Sequence, residues 1–429
     1  MSIRTISVVN TPYSSAHSVG SKRQIPSLSV KPVPEEEEKN DLPQDISFCG
    51  YAWHYLKKAP ILGIMRSIPC LQNIICFLFI GMFDDINLLA GYGLCYSALM
   101  LLNSQWLTSL SFCGCMLNSE HLGARNFKEV RLTYYRCIAL GVFIGMISIL
   151  LWMRLDVILA WIGFNPQASH IAWIGILYLI PYALVQNFDE NLRSYMIVQS
   201  FDKVFTITNA IEILGGTLLA WLFIWYLQFG IIGVGISRGI TEAITCIVLL
   251  TTWKIYGMKE SFYAGETLGE IFCSKHFASY LKFYATVTAP MMAEYLGFEV
   301  ITILFGIYGN TDLVSAWVVL QCIITTVCLM GFGWADTANV YVGYQIGQGC
   351  NKFAKKLAMW SVCLHWLGMM WYPVCCLIFH DQIAGWFTTI PSVHSVLSLW
   401  IFVYGFLGMM DIIGYTVSSM VRIAGEIVF

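Results

Sequence analysis

The chain has 429 residues, of which 57% are hydrophobic and 12% are charged, and its formal net charge is -2 at pH 7. Soluble globular proteins carry about 25% charged residues, so this composition excludes a water-soluble domain. The near-neutral charge also excludes the basic footprint that nucleic-acid-binding proteins carry. Of the 50 Asp, Glu, Lys and Arg residues, 11 lie in the first 50 positions, and the rest of the chain is typical of a polytopic membrane protein.

Residues 1–50 form a polar segment that contains Ser, Pro and an acidic run at 35–38. This composition predicts a disordered cytoplasmic tail and no secretory signal peptide. The 15 cysteines lie mostly inside apolar runs, without Cys-x-x-Cys or His-x-x-x-His spacing. We therefore expect small apolar core residues and no metal site.

About ten apolar stretches follow the tail, each long enough to cross a hydrocarbon core of about 30 Å. They are centred near Ile75, Leu102, Ile144, Leu179, Leu218, Cys246, Met292, Thr325, Met369 and Phe406. The second runs from about Ile86 to Leu117, which at about 1.5 Å per residue is longer than a bilayer requires. The pattern predicts an all-α protein with long, tilted membrane-spanning helices.

Basic residues predict the orientation of these helices. Beyond residue 50, 17 of the 19 Lys and Arg residues fall on one side of the predicted spans, if Arg66 is counted before helix 1 and Arg193 after helix 4. Such an excess is typical of the cytoplasmic side. We therefore expect an even number of crossings, with both termini in the cytoplasm.

The polar interval 254–275 predicts a division into an N-terminal lobe, 51–253 with helices 1–6, and a C-terminal lobe, 276–429 with helices 7–10. At an offset of 224 residues, Leu89-Ala90-Gly91 falls on Leu313-Val314-Ser315, and the Gly turn at 122–126 falls on 346–350. Weak internal similarity of this kind is typical of transporters built from repeats. Because six helices separate the copies, the predicted repeat is parallel.

Each ionisable residue inside a bilayer raises the free energy of membrane insertion by about 2.5 to 3.5 kcal/mol, so its presence there indicates a structural or functional role. Glu294 and Glu299 on helix 7 have no basic neighbour on their helix, and Asp411 on helix 10 lies at a matching depth. Carboxylates that face one cavity would form a site for a proton or a cation, although separate hydrogen-bonded packing is the alternative. Pro290 predicts a kink in helix 7 beside Glu294, and a bent helix beside a carboxylate is suited to gating.

Four further ionisable residues have less distinct patterns. Glu212 on helix 5 is either a residue that hydrogen-bonds across helices or a group that faces a cavity. We expect Asp336 to be solvated near the cytoplasmic end of helix 8. Arg238 and Glu242 are four residues apart on helix 6, a spacing that predicts a structural ion pair.

Four segments in the order and spacing of family motifs resemble the multidrug and toxin extrusion (MATE) transporters, especially the eukaryotic branch. Leu89-Ala90-Gly91 with 118–126 is similar to the family's LAG…CGQAYGAK, and 290–299 is similar to Pro…Glu-Trp-Trp-x-x-Glu. Residues 340–349 resemble VRVGNxLGAG, and 421–425 resemble LRGxG, with Asp411 eleven residues before its Arg.

The resemblance implies a two-lobe bundle and a secondary-active antiporter that exports small organic, often cationic, compounds by alternating access. Glu294, Glu299 and Asp411 would then couple transport to H⁺ or Na⁺, with no other cofactor. We expect a monomeric, multi-pass protein of the plasma membrane or an internal membrane, and not an enzyme. Family members usually have twelve helices, so the second lobe of a ten-helix chain would be incomplete.

Two other functions are compatible with these features. Related two-lobe exporters flip lipid-linked saccharides, but they tend to line their cavities with Arg, and the sequence predicts no basic cavity here. The other alternative is a truncated, non-transporting membrane subunit that acts by association.

Overall fold

A computed structural model describes residues 42–428, apart from 44–45, 84, 200–201, 256–267, 273, 308–310 and 388–390. Long helices account for nearly all of these residues, and no strand occurs among them. Most of the predicted tail, 1–50, and the centre of the predicted inter-lobe loop, 254–275, lie outside the described residues.

Ten long helical elements follow one another along the chain. They are α1 (Phe48–Gly81), α2 (Ile86–Leu99, a π-helical turn at Met100–Ser104, and Gln105–Gly123), α3 (Phe127–Trp152), α4 (Pro166–Val198), α5 (Asp202–Ala210, continued by Ile211–Gly215, Gly216–Ala220 and Trp221–Tyr226), α6 (Ile231–Ile255), α7 (Ser274–Ile307), α8 (Thr311–Gly347), α9 (Asn351–Met369 and Trp371–Phe387) and α10 (Pro391–Val428). Two short helices, Leu155–Ile162 and Leu268–Ile271, lie between them.

Local sequence explains where several of these helices begin or end. The Asp85 carboxylate accepts a hydrogen bond from the backbone N–H of Asn87 at 2.9 Å, and the Asn126 side chain accepts one from Glu129 N–H at 3.4 Å. These side chains satisfy the free N–H groups of the first turns of α2 and α3. Gly163 ends the helix Leu155–Ile162 with φ of 110°, a left-handed conformation that glycine adopts without steric cost.

Within the described ranges, nine helices are long and apolar enough to cross a membrane, and they coincide with nine of the ten predicted spans. The tenth prediction corresponds to α2, which is equally long but carries Asn118, Ser119 and Glu120 near its end. Large apolar side chains such as Leu150 and Met410 are more than 70% exposed, as expected of surfaces that face lipid. The fold is therefore that of an all-helical, multi-pass membrane protein, as predicted.

The two largest apolar clusters meet along α1. The first half of α1 contributes Tyr51 and Tyr55 to a cluster with α8, α9 and α10, whereas its second half contributes Cys76 and Phe77 to a cluster with α2, α4, α5 and α6. Helix α1 thus packs against both halves of the chain. The predicted lobe boundaries themselves stay a prediction.

Glycines permit close contacts between α8 and α1. A Cβ atom on Gly333 of α8 would overlap the Leu62 carbonyl oxygen of α1, and one on Gly63 would lie 2.9 Å from the Met330 carbonyl oxygen. Further along α8, Ser119 of α2 donates its hydroxyl to the Asn339 carbonyl at 3.1 Å. Helix α8 therefore closes against α1 and α2 on the side of the bundle where α1 begins and α2 ends.

Candidate functional site

The predicted carboxylates Glu294 and Asp411 lie near each other between α7 and α10. The Tyr415 hydroxyl on α10 donates a hydrogen bond to Glu294 Oε2, and the Tyr404 hydroxyl, also on α10, lies within interaction range of Asp411. Both carboxylates are half-buried, and they are close enough to repel each other when both are ionised. A proton or a cation placed between them would relieve this repulsion.

Glu294 faces a cavity of about 30 Å³ between α2, α7, α8 and α10, whose wall also includes Gln105, Thr325, Phe332 and Tyr415. A water molecule needs about 10–15 Å³ of such space, whereas drug-sized ligands occupy pockets of about 300–1,000 Å³. In this conformation the cavity accommodates a small ion or about two to three waters. An organic ligand requires the helices to separate.

Glu299 has different surroundings from the other two predicted carboxylates. It is 6% exposed and accepts a hydrogen bond from Gln321 Nε2 on α8 at 2.9 Å, with the Tyr295 and Ser97 hydroxyls also within range. Five residues separate it from Glu294, which places the two on different faces of α7. Glu299 therefore packs against α2 and α8, apart from the Glu294 and Asp411 pair.

Pro290 lies inside α7, one turn before Glu294, and α7 is assigned as a single helix through this position. The missing N–H of a proline removes one backbone hydrogen bond from the helix. The kink that Pro290 predicts, and its role in gating, stay predictions.

The prediction of a solvated Asp336 is wrong, because this carboxylate is fully buried. Its Oδ2 accepts from Arg66 Nε at 2.8 Å, and Arg66 Nη2 lies at the same distance. The same guanidinium donates to Glu190 on α4 through Nη1 and to the Ser111 hydroxyl on α2 at 3.1 Å. Asp336 is buried because a charge from a distant part of the chain neutralises it.

Glu212 also proves to be part of an ion-pair cluster. It is 1% exposed and lies 3.4 Å from Arg193 Nη2, while Arg193 Nε pairs with Asp189 one turn earlier on α4. Of the two interpretations from sequence, the structure supports a residue that bonds across helices, here from α5 to α4. Arg193 lies within α4 rather than after it, so it is not a flanking charge.

The predicted ion pair between Arg238 and Glu242 is also wrong. Among the described residues, the Arg238 guanidinium bonds to Gln72 Oε1 at 2.6 Å, to the Tyr182 hydroxyl at 2.6 Å and to the Pro69 carbonyl oxygen at 3.3 Å. It also stacks 4.5 Å from the centre of the Tyr182 ring. Neutral partners on α1 and α4 therefore provide its hydrogen bonds, instead of the acid on its own helix.

A second polar cavity, of about 60 Å³, lies among α1, α2, α4 and α5. Arg66, Glu190 and Arg193 line it, and Gln105 and Leu329 belong to the walls of both cavities. Sequence reasoning missed this site, because Arg66 and Arg193 were counted as flanking charges. The signal was present: Arg66 interrupts an apolar run that continues to position 83.

The fold and sequence match known transporters. The MatE family profile matches residues 61–222. Protein DETOXIFICATION 9 of Arabidopsis thaliana is 26% identical over 318 residues, which cover 71% of this chain and 64% of the relative. Multidrug and toxin extrusion protein 1 of Xenopus tropicalis is 21% identical over 312 residues, covering 72% of this chain and 54% of the relative.

The comparison with solved structures concerns the fold. The eukaryotic MATE transporter AtDTX14 superposes with a TM-score of 0.79 at 16% identity, and the match covers 88% of this chain and 84% of that one. The alignments with the two curated relatives cover between about half and two thirds of their lengths. The family profile over residues 61–222, the related sequences and the superposition thus agree, and each of them shows that this chain is similar to MATE transporters.

Proposed function

We propose that the chain acts as a secondary-active exporter of small organic cations, exchanging them for H⁺ or Na⁺ by alternating access. The observation that carries this proposal is the proximity of Asp411 to Glu294, which lines a cavity between α2, α7, α8 and α10. Two carboxylates that repel each other when both are ionised favour the binding of one positive charge between them. An organic cation and a coupling ion would compete for the same negative charge.

Competition of this kind would provide the coupling. When the coupling ion neutralises the carboxylates, the organic cation loses its counter-charge and is released. When the organic cation binds, it replaces the ion and needs a wider cavity than the present one of about 30 Å³. Each ligand therefore favours a different arrangement of α7 and α10, as differential binding requires. Glu299, bonded to Gln321, would brace α7 against α8 and contribute negative charge from a neighbouring position.

The test uses the 429-residue chain in liposomes loaded with a fluorescent quaternary ammonium dye. Dye efflux is followed under an imposed pH gradient and, separately, under a sodium gradient, which also identifies the coupling ion. Glu294→Gln combined with Asp411→Asn removes both charges while retaining shape, and we expect at least a tenfold loss of gradient-driven efflux.

Asp381→Asn provides a matched control. Asp381 is also a carboxylate within a span-length helix of the second half, but its side chain is 69% exposed and bonds to Ser398 at 2.6 Å. Its neutralisation should leave efflux unchanged. Full efflux from the Glu294 and Asp411 double variant would refute the assignment of the site.

The two alternative functions make different predictions. An exporter of lipid-linked saccharides would need unpaired basic residues in its cavity, but Arg66 and Arg193 of the second cavity are ion-paired with Glu190 and Asp189. A non-transporting membrane subunit would be indicated if the folded wild-type chain moved no dye under either gradient.

A further inference from the structure

The bridge formed by Arg66 with Glu190, Asp336 and Ser111 ties four helices together, and the transport proposal gives it no role. Arg66 lies on α1, with Glu190 on α4, Ser111 on α2 and Asp336 on α8. Among ion pairs between described residues, Arg66 and Asp336 form the only one that links α1–α6 with α7–α10 inside the bundle. The pair Lys128 with Glu270 joins α3 to the short helix Leu268–Ile271, and its side chains are 55% and 44% exposed.

The bridge lies at the interface where α8 packs against the helices of the first half of the chain. Asp336 lies eleven residues before the end of α8, about 16 Å along the helix axis. Further towards the end of α8, α2 and α8 contact each other through the Ser119 hydroxyl and the Asn339 carbonyl. At the level of Asp336 itself, the Cys115 thiol faces the Asp336 carbonyl oxygen at 4.0 Å. Cys115, Ser119 and Asn339 are all at most 1% exposed, so water does not reach this interface.

We propose that Arg66 and Asp336 form the ionic latch that holds α8 against α1 and α2 on the side where α1 begins, and that opening of this side breaks that pair. This inference rests on the proposed alternating access, which requires the interface to separate at one stage of the cycle. A buried ion pair holds its partners strongly, because breaking it by removal of one partner leaves an uncompensated charge.

The forked arrangement explains how the latch can open. Arg66 has two of its three side-chain partners, Glu190 and Ser111, on helices of the first half. When α8 withdraws, Glu190 continues to neutralise the guanidinium, and incoming water solvates Asp336. The open state therefore contains one solvated carboxylate and no bare buried guanidinium. A single Arg–Asp pair without Glu190 would be far harder to separate.

The experiment measures the reaction of native Cys115 with a membrane-impermeant maleimide in nanodiscs, quantified on the Cys115 peptide by mass spectrometry. No cargo or ion gradient is present, so the result is independent of transport. We expect Asp336→Asn to raise the labelling rate about tenfold, the change that corresponds to about 1.4 kcal/mol of lost closed-state stabilisation. Glu190→Gln should not raise it, because that carboxylate neutralises Arg66 in the open state.

A second reporter distinguishes opening of the interface between α2 and α8 from local loosening around Asp336. A cysteine introduced by Ser119→Cys is one turn further along α2 than Cys115 and does not contact Asp336. If the interface opens, the labelling of both cysteines must therefore rise together. Arg66→Lys keeps the charge but loses the planar fork, and it should raise both rates severalfold even if Asp336→Asn fails to fold.

Arg136→Lys is the matched control, because Arg136 is a buried arginine paired with Glu129 on its own helix at 3.2 Å. It should change neither rate. Three results would overturn the latch: unchanged labelling in Asp336→Asn and Arg66→Lys, a rise confined to Cys115, or an equal rise in Glu190→Gln. If the wild-type chain transports no dye but the variants show the expected labelling, the proposed function is refuted and the latch is not.

Discussion

The crossing of α1 and α8 gives the sharpest prediction about stability. Replacing Gly333 by Ala adds one methyl group at a point where its Cβ would overlap the Leu62 carbonyl oxygen and the Gly63 backbone nitrogen. Both atoms belong to the backbone of α1, so no side-chain rotation can relieve the overlap. The two helices must move apart.

Two opposing effects determine the size of the change. Overpacking of a close contact costs about 1–3 kcal/mol, while Ala in a helix interior is favoured over Gly by about 0.8–1.0 kcal/mol. The difference predicts a loss of up to about 2 kcal/mol for Gly333→Ala. Because α8 packs against α1 through apolar clusters on either side, this loss should appear in the unfolding of the whole bundle.

The assay is thermal unfolding in detergent micelles, followed by tryptophan fluorescence and by the fraction that elutes as a single species. Gly297→Ala on α7 is the matched control, because no atom lies within 4 Å of its added Cβ. There the helix preference acts alone, so the midpoint should rise or stay constant. A midpoint that rises for Gly333→Ala as it does for Gly297→Ala would show that the added methyl group meets no costly overlap.

Two further predictions concern the buried arginines. Arg193→Leu leaves Asp189 and Glu212 without their counter-charge, so it should lower the stability of the fold by about 3–5 kcal/mol. The loss is measured as the decrease in folded protein after detergent extraction. Adding Asp189→Asn and Glu212→Gln should restore most of the yield, and no recovery would contradict the ion-pair explanation. Tyr182→Phe removes the 2.6 Å hydrogen bond to Arg238 but keeps the stacked ring, so it should lower stability by about 1.5–3 kcal/mol in the same thermal assay, whereas an unchanged midpoint would mean that the remaining partners suffice.

The sequence predicts the class of fold well because the bilayer imposes a simple rule. Each crossing needs about 20 apolar residues, and the resulting pattern identifies ten segments that coincide with ten long helices. The pairing of Glu294 with Asp411 was also predictable, since the distance of each from a helix end sets its depth.

The sequence could not predict which buried charges neutralise each other. Spacing along a helix pairs Arg238 with Glu242, but the structure gives Arg238 partners on α1 and α4. Glu299 shares a helix with Glu294, yet its amide partner comes from α8. In each case the partner is more than 20 residues away in the chain, and hydropathy carries no information about which helices are neighbours.

What the sequence by itself determined is the number, length and polarity of the helices, because these depend on local composition and on the thickness of the membrane. Only the tertiary structure decided that Arg66 and Asp336, which are 270 residues apart, meet at the junction of α1, α2, α4 and α8. The physical reason is that a fully buried carboxylate stays ionised at low cost only when a positive charge compensates it, and helix packing alone brings that charge to Asp336.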